Sequence, residues 1–213
     1  MYYSTIALLA LVILLIENHD ILQEGGETFE KSAWKVYRRF LFAVLVYYIT
    51  DILWGFLESR KLALWLFADT TVYFAAVAAG VLFWAQFTVT YIEHDSAFGR
   101  ALVLAGHSLA GLITFLSAIN ITQPVLFTVD SACVYHALPM RYVVLASQIL
   151  LLLLISAYAF SMRRVNAAKN SRNLALILFG LIMALFLFIQ IWFPYLPLYS
   201  IASLQGPDRR AHV

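Results

Sequence analysis

A chain of 213 residues that is 63% hydrophobic and 12% charged, with a net charge of +2, is not an ordinary globular domain; those are about 45–50% apolar and about 25% charged. The composition, with a mean hydropathy of +0.83, assigns the chain to the lipid bilayer. It also argues against a nucleic-acid surface, because the basic residues fall in loop clusters and not in a stripe interleaved with aromatics.

The first apolar run predicts a helix over residues 3–22, with its purely apolar core ending at Ile16 and Glu17, Asn18, His19 and Asp20 at the interface. No basic segment precedes it and no small-residue cleavage site follows Ile16, so the expectation is a retained membrane helix and not a signal peptide. Gly25 and Gly26 break it. A short amphipathic approach over 29–39 carries Lys31, Lys35, Arg38 and Arg39, and a second helix follows over 40–57. The third helix, 62–91, is about 30 residues or roughly 45 Å long, so it must tilt or project beyond the hydrocarbon.

After a short polar loop with Glu93, His94 and Asp95, a fourth helix is predicted over 101–122. The longest connection, 123–141, holds Pro124, Asp130, Cys133, His136 and Pro139. A fifth helix over 142–162 precedes a basic loop with Arg163, Arg164, Lys169 and Arg172, and a sixth over 174–193 ends at Pro194 and Pro197. The last apolar stretch, 198–204, falls short of the about 20 residues that a bilayer requires. The expected fold is therefore all-α: a polytopic integral membrane helix bundle of six spanning helices plus a truncated seventh. It forms one transmembrane, sensor-like domain over residues 1–204, followed by a polar tail over 205–213.

Loops one, three and five carry four, one and four Lys or Arg residues, against two and one in loops two and four. That bias predicts cytoplasmic odd-numbered loops and an N-terminus outside.

Two acids interrupt the apolar text. Asp51 and Asp69 flank the polar turn Glu58-Ser59-Arg60-Lys61 at similar distances, so on antiparallel neighbours they would reach the same bilayer depth. A carboxylate there costs roughly 2.5–3.5 kcal/mol on insertion scales and generally faces a protein interior. Tyr47 and Tyr48 lie four and three residues before Asp51, on its face of the helix, and Tyr73 lies one turn after Asp69. The two carboxylates either share a proton, one being disfavoured as an anion by burial and by its neighbour, or bind a cation or a ligand amine. A plain interhelical hydrogen-bond clamp is the structural alternative. Asp51, Asp69, Tyr47, Tyr48, Thr70 and Tyr73 form the candidate ligand site.

His107, alone in the fourth helix, reads as an interhelical hydrogen-bond partner before a haem ligand. Gly106 with Ala110, and Ala76 with Gly80, mark close helix packing. Asp130, Cys133 and His136 have metal-ligand chemistry, but three groups in an apolar loop make a poor site. A retinal Schiff base is excluded because Lys31, Lys35, Lys61 and Lys169 fall outside the predicted spans. No catalytic nucleophile is apparent, so the chain does not read as an enzyme, and no cofactor is expected.

The segments Tyr47-Tyr48-Ile49-Thr50-Asp51-Ile52-Leu53-Trp54-Gly55, Asp69-Thr70-Thr71-Val72-Tyr73-Phe74 and Phe193-Pro194-Tyr195-Leu196-Pro197-Leu198-Tyr199-Ser200-Ile201 resemble the N-terminal membrane region of Gram-positive bacterial signalling proteins, in which a polytopic sensor precedes a GGDEF diguanylate cyclase or another output domain. The resemblance covers residues 1–201 and implies a membrane input module in the bacterial cytoplasmic membrane. It would sense a ligand or proton and pass the signal to a cytoplasmic output (cyclase or kinase) that this chain lacks. Its implied partners are the lipid bilayer, an unidentified small ligand, a second copy in a homodimer, and a signalling domain in longer relatives. The alternatives are a small proton-coupled transporter and a non-catalytic structural membrane protein.

Overall fold

The computed structural model describes residues 2–19, 22, 31–92, 96–163 and 170–192. Among them are six helices: α1 (Tyr2–Glu17), α2 (Lys31–Ser59), α3 (Ala63–Ile92), α4 (Ala97–Asn120), α5 (Pro139–Met162) and α6 (Asn170–Trp192). In lipid the backbone must satisfy its own polar groups, so long apolar runs free of internal proline become helices. Five are long and apolar enough to cross a bilayer, namely Ser32–Ser59, Ala63–Ile92, Ala97–Asn120, Pro139–Met162 and Asn173–Trp192.

Four expectations need correction. The first helix stops at Glu17, and 16 residues span about 24 Å, short of a hydrocarbon core of about 30 Å. It is therefore not among the five helices of spanning length. At its end the Asn18 side-chain amide and backbone N–H both reach the Leu14 carbonyl, 3.0 Å away. The amphipathic approach and the second span are one continuous helix, so Lys31 and Lys35 belong to the first turns of α2; no Gly or Pro separates them. Arg141 is not a loop residue but sits in the first turn of α5, whose initial proline suits a helix start. Finally, the long connection carries two short strands, β1 (Phe127–Val129) and β2 (Tyr135–Ala137), in an antiparallel pair. The apolar stretch 198–204, its flanking prolines and the tail 205–213 lie outside the described residues.

The turn between α2 and α3 closes with Lys61 at φ 54° and a bond from Leu62 N–H to the Leu57 carbonyl, a helix-ending geometry. A three-residue turn makes α2 and α3 antiparallel. The hairpin then joins α4 to α5, so the α2–α3 turn, the end of α4, the hairpin and the start of α5 gather at one end of the bundle. At the opposite end Ser96 caps α4 by accepting from Gly99 N–H, and its hydroxyl reaches the Tyr158 hydroxyl on α5.

Toward that opposite end the core is aromatic. Trp84 packs 4.2 Å from Phe179 and 5.4 Å from Phe40 between ring centroids, tying α2, α3 and α6 together. Glycines permit close approach where the sequence predicts it: a Cβ on Gly106 would meet Leu82 and Ala85 of α3.

Candidate functional site

The hairpin end of the bundle is polar inside. Tyr48 and Tyr47 on α2 are fully buried, and the Tyr47 ring lies 5.4 Å from Tyr73 on α3. Asp69 stands one helical turn before Tyr73 and is 8% exposed. Asp51, half-buried on α2, is within electrostatic reach of both Asp69 and Tyr73. The structure therefore gathers Asp51, Asp69, Tyr47, Tyr48 and Tyr73 on facing surfaces of two helices.

Thr70 does not donate to a carboxylate. Its hydroxyl proton goes to the Leu66 carbonyl at 2.7 Å, within its own helix, and Thr50 makes the matching bond to Tyr47. Such back-bonding leaves these hydroxyls only as acceptors toward the cluster.

Two groups missing from the sequence reading complete the arrangement. Gln190, near the end of α6, donates its side-chain amide to the Tyr73 hydroxyl at 2.7 Å. Arg141, from the start of α5, is 5% exposed and within electrostatic reach of Tyr73. Its guanidinium also lies 5.6 Å from the Tyr142 ring centroid. Four helices thus converge on Tyr73. Sequence spacing had no means of finding Arg141 and Gln190, which are 68 and 117 residues from Tyr73 and join it only through the bundle's closure.

Three buried atoms here have no hydrogen-bond partner among the described residues: Asp69 Oδ2, Arg141 Nη1 and Gln190 Oε1. Buried polar groups are normally satisfied, so each of the three is an exception within the bundle.

The hairpin covers this end. Phe127 of β1 packs 5.1 Å from Phe67 and stacks 5.7 Å from Phe74 at an interplanar angle of 12°. Asn120, the last residue of α4 and buried, holds the loop in place: its Oδ1 accepts from Val125, Leu126 and Phe127 N–H, and its amide donates to the Phe127 carbonyl.

Outside this cover Asp130 and His136 form an exposed pair at 3.1 Å. The Val134 N–H and the His136 ring, in that order, hold the Asp130 carboxyl below its usual range. Cys133 is buried in the turn at φ 65° and does not join them, and no metal-holding group of three ligands occurs among the described residues. His107 bridges α4 to α3, its Nε2 lying 3.2 Å from Gln86 Nε2 while Nδ1 is 2.9 Å from the Val103 carbonyl. With Nδ1–H donating to that carbonyl, Nε2 accepts from the Gln86 amide, and both ring nitrogens are engaged. Comparison with protein-family models, with curated proteins and with solved structures gives no match for this chain.

Proposed function

We propose that the chain is a membrane-embedded input module of bacterial signal transduction, which senses a small ligand or a proton at the cluster of Asp51, Asp69, Tyr47, Tyr48, Thr70 and Tyr73. The observation that supports this reading is the convergence of four helices on Tyr73, with ionisable groups from three of them, at one end of an apolar bundle. Intramembrane ionisable groups are costly and mark functional positions. Binding that favours one packing of α2, α3, α5 and α6 over another would shift α6 relative to its neighbours. The sequence resemblance supplies the direction of that signal, toward a cytoplasmic cyclase or kinase on a longer chain.

In the orientation favoured by the basic loops, the hairpin end faces outward in the bacterial cytoplasmic membrane, within reach of an external stimulus. Fusing the chain to a diguanylate cyclase and replacing Asp51 and Asp69 by asparagine, singly and together, tests the reading. The expected result is altered basal output with helix content retained. Unchanged output in all three variants would remove the cluster from signalling.

A further inference from the structure

We propose that the first turns of α2 bind anionic phospholipid, with Lys35, Arg38 and Arg39 holding the phosphate oxygens of headgroups in the leaflet at the end of the bundle opposite the hairpin.

Lys35, Arg38 and Arg39 stand at spacings of three and four, so they share one face of the helix. Lys35 and Arg39 are exposed and Arg38 is half-buried. The other face of these turns packs into the bundle: Ala33, Tyr37, Phe40 and Leu41 are buried, and the Tyr37 ring lies 5.0 Å from Phe87 of α3. The three cations are therefore on the outer face. Among the described residues none of them has an ion-pair or hydrogen-bond partner for its side chain.

Two independent observations put this stripe at headgroup depth. The 29 residues of α2 run about 43 Å, against a hydrocarbon core of about 30 Å. With the polar α2–α3 turn at the far boundary, roughly the first nine residues of α2 lie outside the core. The second observation comes from α1, whose apolar run ends at Ile16 and gives way to Glu17, Asn18 and His19. The Tyr37 hydroxyl donates to Asn18 Oδ1 at 3.4 Å, so the polar end of α1 meets α2 between Lys35 and Arg38. Trp34 and Tyr37 are the aromatic types that favour this layer.

Cations at that depth face headgroups and not open water. The planar guanidinium of arginine fits two phosphate oxygens at once, and lysine adds a point charge. A zwitterionic headgroup brings its own ammonium, which opposes the three cations; an anionic headgroup does not. Arg100 in the first turn of α4 and Arg163 just past α5 lie at the same end of the bundle and add to its positive potential. In the orientation proposed above this end meets the cytoplasmic leaflet, whose anionic lipids attract basic segments beside a span.

The full chain is purified in detergent and its thermal unfolding is followed as a soluble short-chain phosphatidylglycerol, the matching phosphatidylcholine or inorganic phosphate is added. The expected result is a saturable rise in melting temperature with phosphatidylglycerol alone, reduced at high salt. Lys35→Gln, Arg38→Gln and Arg39→Gln each weaken the apparent affinity about five-fold, and the three together roughly 100-fold. The charge-keeping set Lys35→Arg, Arg38→Lys and Arg39→Lys retains most of the affinity, which separates lost charge from a misfolded α2. Arg60→Gln with Lys61→Gln removes two cations at the hairpin end and leaves the response intact. No rise with phosphatidylglycerol, an equal rise with phosphatidylcholine or inorganic phosphate, or an undiminished response in the triple glutamine variant overturns the proposal.

Discussion

Single side chains at the hairpin end carry more than their share of the structure. Asn120 satisfies three backbone N–H groups and one carbonyl of the loop that brings Phe127 into the bundle. Asn120→Ala leaves those groups unpaired in a buried place and is expected to cost about 3 kcal/mol, read as a lower unfolding midpoint. Asn120→Asp keeps the acceptor and loses only the donor, so the smaller loss should fall to it. On the exposed face of the hairpin, Asp130 titrates below its ordinary value of 3.8 because Val134 N–H and His136 favour its anion. A depressed folded value stabilises the hairpin above the unfolded value, and that contribution disappears as pH falls through the folded one. Amide exchange at Val134 should therefore be constant from neutral pH down to about pH 4 and accelerate, relative to its intrinsic rate, only below it. Exposure limits the size of the effect. The acids, tyrosines and Thr70 of the candidate site were legible at this scale, since a charge in apolar text is conspicuous. Arg141 was not, because beside Pro139 at the end of a long connection it looks like an ordinary loop cation.

Between elements, geometry is set by small residues. A Cβ on Gly180 of α6 would collide with the Ser156 hydroxyl of α5, and that hydroxyl is engaged with the Leu152 carbonyl at 2.9 Å. Gly180→Ala should destabilise the α5–α6 pair by about 1–2 kcal/mol through overpacking. Adding Ser156→Ala removes the obstructing atom and should return most of that loss, a coupling that a double-mutant cycle measures. The α2–α3 turn responds in the other direction. Lys61 holds φ 54°, a left-handed conformation that costs an L-residue roughly 1 kcal/mol and glycine almost nothing. Lys61→Gly is expected to raise stability by up to about 1 kcal/mol, seen as slower unfolding in denaturant. Helix identity was readable from apolar run length, but ends were not. Run length does not say where a helix begins, and α2 takes in its basic approach because no Gly or Pro interrupts it.

For the whole molecule, the antiparallel run from α2 to α5 puts the α2–α3 turn and the hairpin on one side of the membrane and Ser96 on the other. In a Cys133→Ser background, Arg60→Cys and Ser131→Cys should react with an impermeant thiol reagent from the same side of sealed vesicles, and Ser96→Cys only from the opposite side. Labelling of Arg60→Cys and Ser131→Cys from different sides would contradict the helix order. The outward assignment of that shared side belongs to the proposed function and is read in the same experiment on whole cells.

What the sequence determined by itself follows from solvent. Lipid demands long apolar helices with internally bonded backbones, so composition and run length were enough for a helical membrane protein, and two acids in such runs were enough to mark one end as polar. Tertiary structure decided the rest. The strand pair of 127–129 and 135–137 exists because Asn120 and Phe127 anchor it, and no periodicity over three residues announces that. Likewise Gln190 and Arg141 reach Tyr73 only once α5 and α6 close against α3, a juxtaposition across 117 and 68 residues that depends on helix packing and not on local pattern.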